Sequence, residues 1–279
     1  MPVGNANAKG LYGTIVDDTG LDPLDVDFLG NGPDVFPGDG VDNGGDDAVS
    51  GGNQHDLVDG GDGDDVLYGD NGKDTVNGED DNDLIVGANG KDFLTGGNNG
   101  LGSNELFGPD ILDGGNGKDT IYGDSPAGTE SNGSGGSGDG DILEGGNGKD
   151  LMVGGAGGDI INGYRGNDEI SGDSGNDVID GGFGNDLIDG GTGDDELTGG
   201  KNNDVFLFEM GDGNDTITDF GDGNDKIDLT DFNLANGFDD LAGMISYAGG
   251  DAVIDFGTGQ SITLLGVADG DLSASDFLF

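Results

Sequence analysis

The chain has 279 residues, with 66 glycines, 59 acidic against 8 basic side chains and a net charge of −51. That balance excludes a nucleic-acid partner, which needs clustered positive charge, and the absence of Cys excludes disulfides and thiolate metal sites. Only 31% of residues are apolar, so the charge favours an expanded chain unless something neutralises it. The excess acid is nearly all Asp set beside Gly, the pattern expected of hard cations held in tight oxygen-lined loops.

The first 33 residues carry the least pattern and are read as an irregular N-terminal cap. MPVGNANAKGLYG lacks a basic stretch followed by an apolar one, so no classical signal peptide is visible. No apolar run approaches the roughly 20 residues of a membrane span, and a soluble protein is expected.

From residue 42 a nonapeptide repeats, with GGDGDDVLY, GDNGKDTVN and GANGKDFLT among its early copies. Residues 145–207 continue it without a break: GGNGKDLMV, GGAGGDIIN, GYRGNDEIS, GDSGNDVID, GGFGNDLID, GGTGDDELT, GGKNNDVFL. The consensus is GGxGxDxUx, with U a large apolar residue. Glycine at positions one, two and four permits positive φ and lets carbonyl oxygens converge. The sixth-position Asp adds a carboxylate, completing an all-oxygen set suited to Ca²⁺. The x-U-x triplet predicts a short strand with its middle side chain turned inward. That inward row is Val49, Val58, Leu67, Val76, Ile85, Leu94, Leu112, Ile121, Leu143, Met152, Ile161, Ile170, Ile179, Ile188, Leu197 and Phe206, all apolar.

Two nonapeptides per turn predict an all-β fold, a right-handed parallel β-roll of 18 residues per coil over residues 34–207. The candidate metal ligands are Asp47, Asp56, Asp65, Asp74, Asp83, Asp92, Asp110, Asp119, Asp141, Asp150, Asp159, Asp168, Asp177, Asp186, Asp195 and Asp204, with Asp34 a weaker one. If each ion bridges loops on one edge, sixteen loops on two edges hold up to about 14 Ca²⁺. Fourteen ions would leave about −23 of the original −51, so the surface stays acidic. Position four is Gln54, Asp81 or Asn202 in three repeats, and Gln54 in particular is expected to weaken the first site.

The nine-residue step breaks near residues 38–41, 98–109 and 123–140. Each break is a missing repeat, a boundary, or a bulge from an unbroken roll. If they are bulges, Lys73, Lys91, Lys118 and Lys149 fall on one edge with the loops of His55, Arg165 and Lys201, and every insertion falls on the other. Charge relief beside the Asp row is the plain reading of that Lys ladder; a binding site is the sharper one. On one sheet the outward seventh position reads Val66, Leu84, Ile111, Ile142, Ile160 and Val178, either strand propensity or a docking stripe. The Gly/Ser-rich stretch Ser125–Gly140 is expected to be a flexible linker-like loop.

Residues 208–279 hold an aromatic-rich C-terminal β cap, and eight of thirteen phenylalanines lie from Phe206 onward. A repeat stack exposes its last coil, so such a cap is expected. GDGNDTITDF and GDGNDKIDLTDF add Asp212, Asp215, Asp222 and Asp225 as further candidate ligands, and DAVIDFGTGQSITLLGV alternates like a hairpin.

These tandem nonapeptides resemble the RTX, or hemolysin-type, calcium-binding repeats over roughly residues 30–279. The resemblance implies a chain unfolded in a calcium-poor bacterial cytosol, exported by type I secretion machinery and folded by extracellular Ca²⁺. It also implies an uncleaved C-terminal secretion signal, and Asp276-Phe277-Leu278-Phe279 is similar to such endings.

The single His, His55, excludes HExxH zinc chemistry, and there is no GxSxG elbow or Cys nucleophile, so no enzyme activity is expected. The reading is a secreted calcium-binding protein with a structural, adhesive or surface-associated role, its glycan or protein partner unnamed by the sequence. The alternatives are a membrane-active effector or toxin, though the amphipathic helices of a pore former are absent, and the repeat module of a larger secreted enzyme, against which the initiating Met weighs.

Overall fold

The computed structural model describes residues 25–28, 35–36, 46–97, 110–124, 140–221, 223–257 and 259–279. Each x-U-x triplet is a strand, because its middle side chain must leave water while its neighbours alternate outward. Val66–Tyr68, Leu84–Val86, Ile111–Asp113, Ile142–Glu144, Ile160–Asn162, Val178–Asp180 and Glu196–Thr198 stack in parallel as one sheet. The second sheet stacks Leu57–Asp62, Thr75–Asp80, Phe93–Gly97, Thr120–Asp124, Leu151–Ala156, Glu169–Ser174, Leu187–Asp189 and Val205–Leu207. The chain alternates between the sheets, so the fold is a parallel β-roll.

Register follows the repeat. Leu67 lies beside Val49 and Ile85, and Val76 beside Val58 and Leu94, each one coil of 18 residues away. All sixteen residues of the apolar row are buried, none more than 3% exposed. Burying an aliphatic side chain of this size contributes about 1.5–3 kcal/mol, and the core is only one such side chain wide per strand.

The insertions do not interrupt this stack. Ile85 pairs with Leu112 and Leu112 with Leu143; opposite them, Leu94 pairs with Ile121 and Ile121 with Met152. The strands before and after residues 98–109 and 125–139 keep the same pairing as elsewhere, so both insertions leave from an unbroken roll. Those residues themselves, with the break near 38–41, Asp34 and Asp222, lie outside the described residues.

Beyond Leu207 the stack runs on into the cap. Ile217 pairs under Leu197, and Leu264 under Ile217, still in parallel. Gln260–Leu264 then pairs antiparallel with Asp251–Gly257, the alternating stretch of the sequence, and Ile245–Ala248 adds the outer strand. In the other sheet Ile227 follows Phe206, and Phe277 follows Ile227. The apolar end is covered by aromatic contacts, with ring centroids 4.3 Å apart for Phe232–Phe256 and 5.7 Å for Phe238–Phe277.

Candidate metal centre

The sixth-position aspartates occupy the two bends of each coil, where the chain turns from one sheet to the other. Fifteen of the sixteen predicted residues are buried, and Asp47 is half-buried. Buried carboxylates must be hydrogen-bonded or matched by charge. Half of that need is met within the protein. On one edge the backbone N–H of Asp56 donates to Oδ1 of Asp74, and the same bond links Asp74 to Asp92, Asp92 to Asp119, Asp119 to Asp150, Asp150 to Asp168, Asp168 to Asp186 and Asp186 to Asp204, at 2.7–2.9 Å. On the other edge Asp47 donates to Asp65, and the series continues through Asp83, Asp110, Asp141, Asp159, Asp177 and Asp195. Each aspartate therefore clamps its own coil to the one before it.

The second oxygen is different. Oδ2 of Asp74, Asp83, Asp92, Asp119, Asp150, Asp168, Asp177, Asp186 and Asp195 is buried and accepts no hydrogen bond. It faces the first glycine of its own repeat, beside the carbonyl of the equivalent glycine one coil on. A methyl group built on Gly87 would lie 3.0 Å from both Asp92 Oδ2 and the Gly114 carbonyl oxygen; on Gly181 it would lie 2.9 Å from both Asp186 Oδ2 and the Gly199 oxygen. Glycine keeps this oxygen-lined space open.

The donor set is one carboxylate per loop plus backbone carbonyls. Among the described residues no three His, Cys, Asp or Glu side chains converge, which disfavours a soft or transition metal and suits Ca²⁺, whose sites draw on carbonyl oxygens. The residues present fit calcium. Bound there, the ion would supply the positive charge that Oδ2 lacks.

Without a cation the carboxylates are held far above their ordinary range. Burial is the leading cause, opposed by the hydrogen bond to Oδ1 and reinforced by the aspartates one coil away. Asp74, Asp168 and Asp204 rise to about 6, and Asp119 and Asp186 to about 7. On the opposite edge Asp177 rises to about 7 and Asp83 to about 9, where Asp110, Asp65 and Asp64 all add repulsion.

The cap lengthens both ladders. Asp195 N–H donates to Asp215 Oδ1 at 3.1 Å and Asp204 N–H to Asp225 Oδ1 at 3.0 Å. Asp212, also among the sequence candidates, instead receives the Glu209 N–H through its Oδ2 and closes a local turn. At position four, Gln54, Asp81 and Asn202 all adopt positive φ, at 93°, 81° and 96°; Asn and Asp tolerate that region better than Gln.

The two edges differ, as the basic residues predict. Asn71–Gly72, Asn89–Gly90, Asn116–Gly117 and Asn147–Gly148 pair in parallel as a small sheet, which sets Lys73, Lys91, Lys118 and Lys149 in successive coils of one edge. The third-position asparagines form an amide ladder that the sequence reading did not single out, although its spacing was visible. Nδ2 of Asn89 donates to Asn71, of Asn116 to Asn89 and of Asn147 to Asn116, at 2.9–3.2 Å. The same column continues through Arg165, Phe183 and Lys201, and the Phe183 ring lies between the two cations, 5.7 Å from the guanidinium and 5.1 Å from the ammonium. The strands that flank residues 98–109 and 125–139 meet at the other edge.

Fold and site together define a class: a parallel β-roll whose bends are lined by carbonyl and carboxylate oxygens, a cation-binding solenoid. The family model of the RTX calcium-binding nonapeptide repeat matches residues 41–76, 68–99, 106–125, 135–170 and 171–206, more than half of the chain. The chain belongs to that family. No curated protein matches it. Among solved structures it is similar to the extracellular lipase LipA from Serratia marcescens, at 17% identity and a TM-score of 0.30, over 86% of this chain and 41% of that one. The chain thus spans less than half the length of that lipase.

Proposed function

We propose that this chain is a secreted calcium-binding roll that folds on meeting Ca²⁺ outside the cell and has a non-catalytic structural or adhesive role. The sixteen aspartates from Asp47 to Asp204 are its proposed ligands, up to about 14 shared sites, with Asp215 and Asp225 extending each edge by one rung. The observation that carries the reading is the row of buried Oδ2 atoms without a hydrogen-bond donor, most of them beside a glycine carbonyl. A protein with 59 acids and 8 bases has no internal means of neutralising that row. In a calcium-poor cytosol the repulsion keeps the chain open, a state suited to export through type I secretion machinery; extracellular calcium removes it.

Circular dichroism during calcium titration tests this. β-Structure is expected to appear cooperatively between roughly 0.1 and 10 mM Ca²⁺, a window that contains the roughly 0.1–1 mM affinities of extracellular modules, and to vanish in excess chelator. A chain refolded without metal that shows the same spectrum with and without calcium would sink the coupling.

A further inference from the structure

We propose that the four Asn-Gly pairs of the asparagine ladder are a calcium-controlled deamidation site. The folded roll keeps them as asparagine, and water converts them to aspartate and isoaspartate once calcium is withdrawn. This rests on the calcium reading and adds a covalent modification to it.

The fold itself imposes the labile pair. Asn71-Gly72, Asn89-Gly90, Asn116-Gly117 and Asn147-Gly148 fill positions three and four of their repeats, each within the tetrapeptide Asn-Gly-Lys-Asp. A methyl group built on Gly90 would lie 2.0 Å from the Gly72 carbonyl oxygen, and one on Gly117 or Gly148 would lie 1.6 Å from the glycine carbonyl oxygen of the coil before. Stacking therefore demands glycine in these strands, while the third position supplies the amide that bridges coils. Asparagine is among the thermally labile residues, and a following glycine, without Cβ, leaves its own nitrogen least shielded.

The reaction needs only water. The glycine backbone nitrogen attacks Cγ of the asparagine, its proton passes to the departing amide, and ammonia leaves behind a cyclic succinimide. Water then opens either carbonyl, giving aspartate or isoaspartate. Attack needs the two atoms about 3–3.5 Å apart and aligned, and the folded roll withholds that geometry. These residues form short parallel strands, whose side chains stand roughly perpendicular to the sheet. The electrophile is held in place: Nδ2 of Asn71, Asn89, Asn116 and Asn147 each donates to the asparagine one coil earlier, at 2.9–3.3 Å. At Asn147 the nucleophile is occupied too, since the Gly148 N–H donates to the Arg165 carbonyl at 2.8 Å. All four asparagines are exposed, so water is at hand and geometry alone holds the reaction back.

When the coils part, these restraints are lost together, and the product does not rebuild the ladder. Aspartate in place of Asn116 still accepts from Asn147 but no longer donates to Asn89. Isoaspartate lengthens the main chain by a carbon just before Lys118 and Asp119, and shifts the register with Asn89 and Asn147. The ladder thereby records time spent without calcium, and modified chains lose the fold that calcium would restore.

Peptide mass spectrometry tests this on the full chain, aged in warm, mildly alkaline buffer with either calcium or chelator, while circular dichroism on the same samples reports the fold. In chelator all four pairs should convert, well ahead of Asn53-Gln54, the ladder position that lacks a following glycine. In calcium, conversion at Asn89 and Asn116 should be roughly tenfold slower or more. Chains aged in chelator should refold less on calcium addition as the modified fraction grows. The variant Asn89→Ala, which takes the acceptor from Asn116, should speed conversion at Asn116 severalfold in calcium. Four results overturn the proposal: equal rates in the folded and chelated chains, chelated pairs no faster than Asn53, fully modified chains that refold as fresh ones do, or a free Asn-Gly-Lys-Asp peptide that calcium protects equally. A folded Asn89→Ala chain with no change at Asn116 overturns the ladder's part in it. If that variant does not fold, the parent chain with and without calcium carries the comparison. A chain whose dichroism ignores calcium refutes the calcium reading itself, a separate outcome.

Discussion

The two edges of the roll are built from the same nonapeptide, yet one carries a cation in nearly every coil and the other carries none among its described loops between Gly60 and Asp195. The consequence is confined to single rungs of the buried row. His55 lowers Asp74, Lys118 lowers Asp150 and Lys149 lowers Asp168, whereas Asp119 and Asp186 on the same edge, like Asp83 and Asp177 on the other, have only carboxylates for charged neighbours. A solvent-facing position thus tunes a buried one through the turn. The comparison teaches that charge relief and calcium binding compete: a Lys that eases the apo site also repels the ion.

The largest expected effect is at the rung itself. Asp168→Ala removes the proposed ligand and also strands the Asp150 N–H, a buried donor whose loss of partner costs about 1–3 kcal/mol. Asp168→Asn keeps an acceptor for that N–H while removing the charge. Calcium-titrated dichroism should show a many-fold higher midpoint for the Ala variant and a smaller shift for Asn. Equal shifts would mean that the hydrogen-bond ladder contributes little.

Acid acts on the aspartates of both edges. These carboxylates have folded pKa values raised from 3.8 to between about 6 and about 9. The folded apo chain therefore binds more protons than the unfolded one, so its stability falls as pH rises from 4 through the folded values. In chelator, lowering pH from 8 to 5.5 should promote β-structure. With calcium present the same change should raise the calcium midpoint, because protons compete for the same oxygens. An apo spectrum indifferent to pH would contradict the burial of the row.

A smaller effect tests the competition directly. Lys118→Asn, which copies the residue type at Asn167 and Asn185, should strengthen calcium binding by no more than a few-fold, since exposed charge interactions contribute about 0.2–1 kcal/mol. Weaker binding in that variant would refute the repulsion. The smallest effect belongs to the other edge. Deleting residues 99–107 leaves GGNGPD, a regular loop, between strands already in register. The shortened chain should keep its calcium midpoint, within the fraction of a kcal/mol that loop length controls.

Much of the molecule was legible in the sequence. A nine-residue period with Asp at six and an apolar residue at eight dictates the coil, the buried row and the carboxylates at each bend, because every coil contacts only its neighbours. Local spacing then stands in for tertiary structure. It could not decide whether residues 98–109 and 125–139 end the roll or bulge from it; only the pairing of Leu112 with Ile85 and Leu143 settled that. Nor could spacing show that the two oxygens of each carboxylate are unequal, one spent on the neighbouring coil and the other turned towards glycine carbonyls. The cap was least legible of all, since Ile217 meets Leu264 and Ile227 meets Phe277 across about fifty residues with no repeat between them. Period determines contacts one coil away; contacts at longer range are chosen by which apolar surfaces remain to be covered.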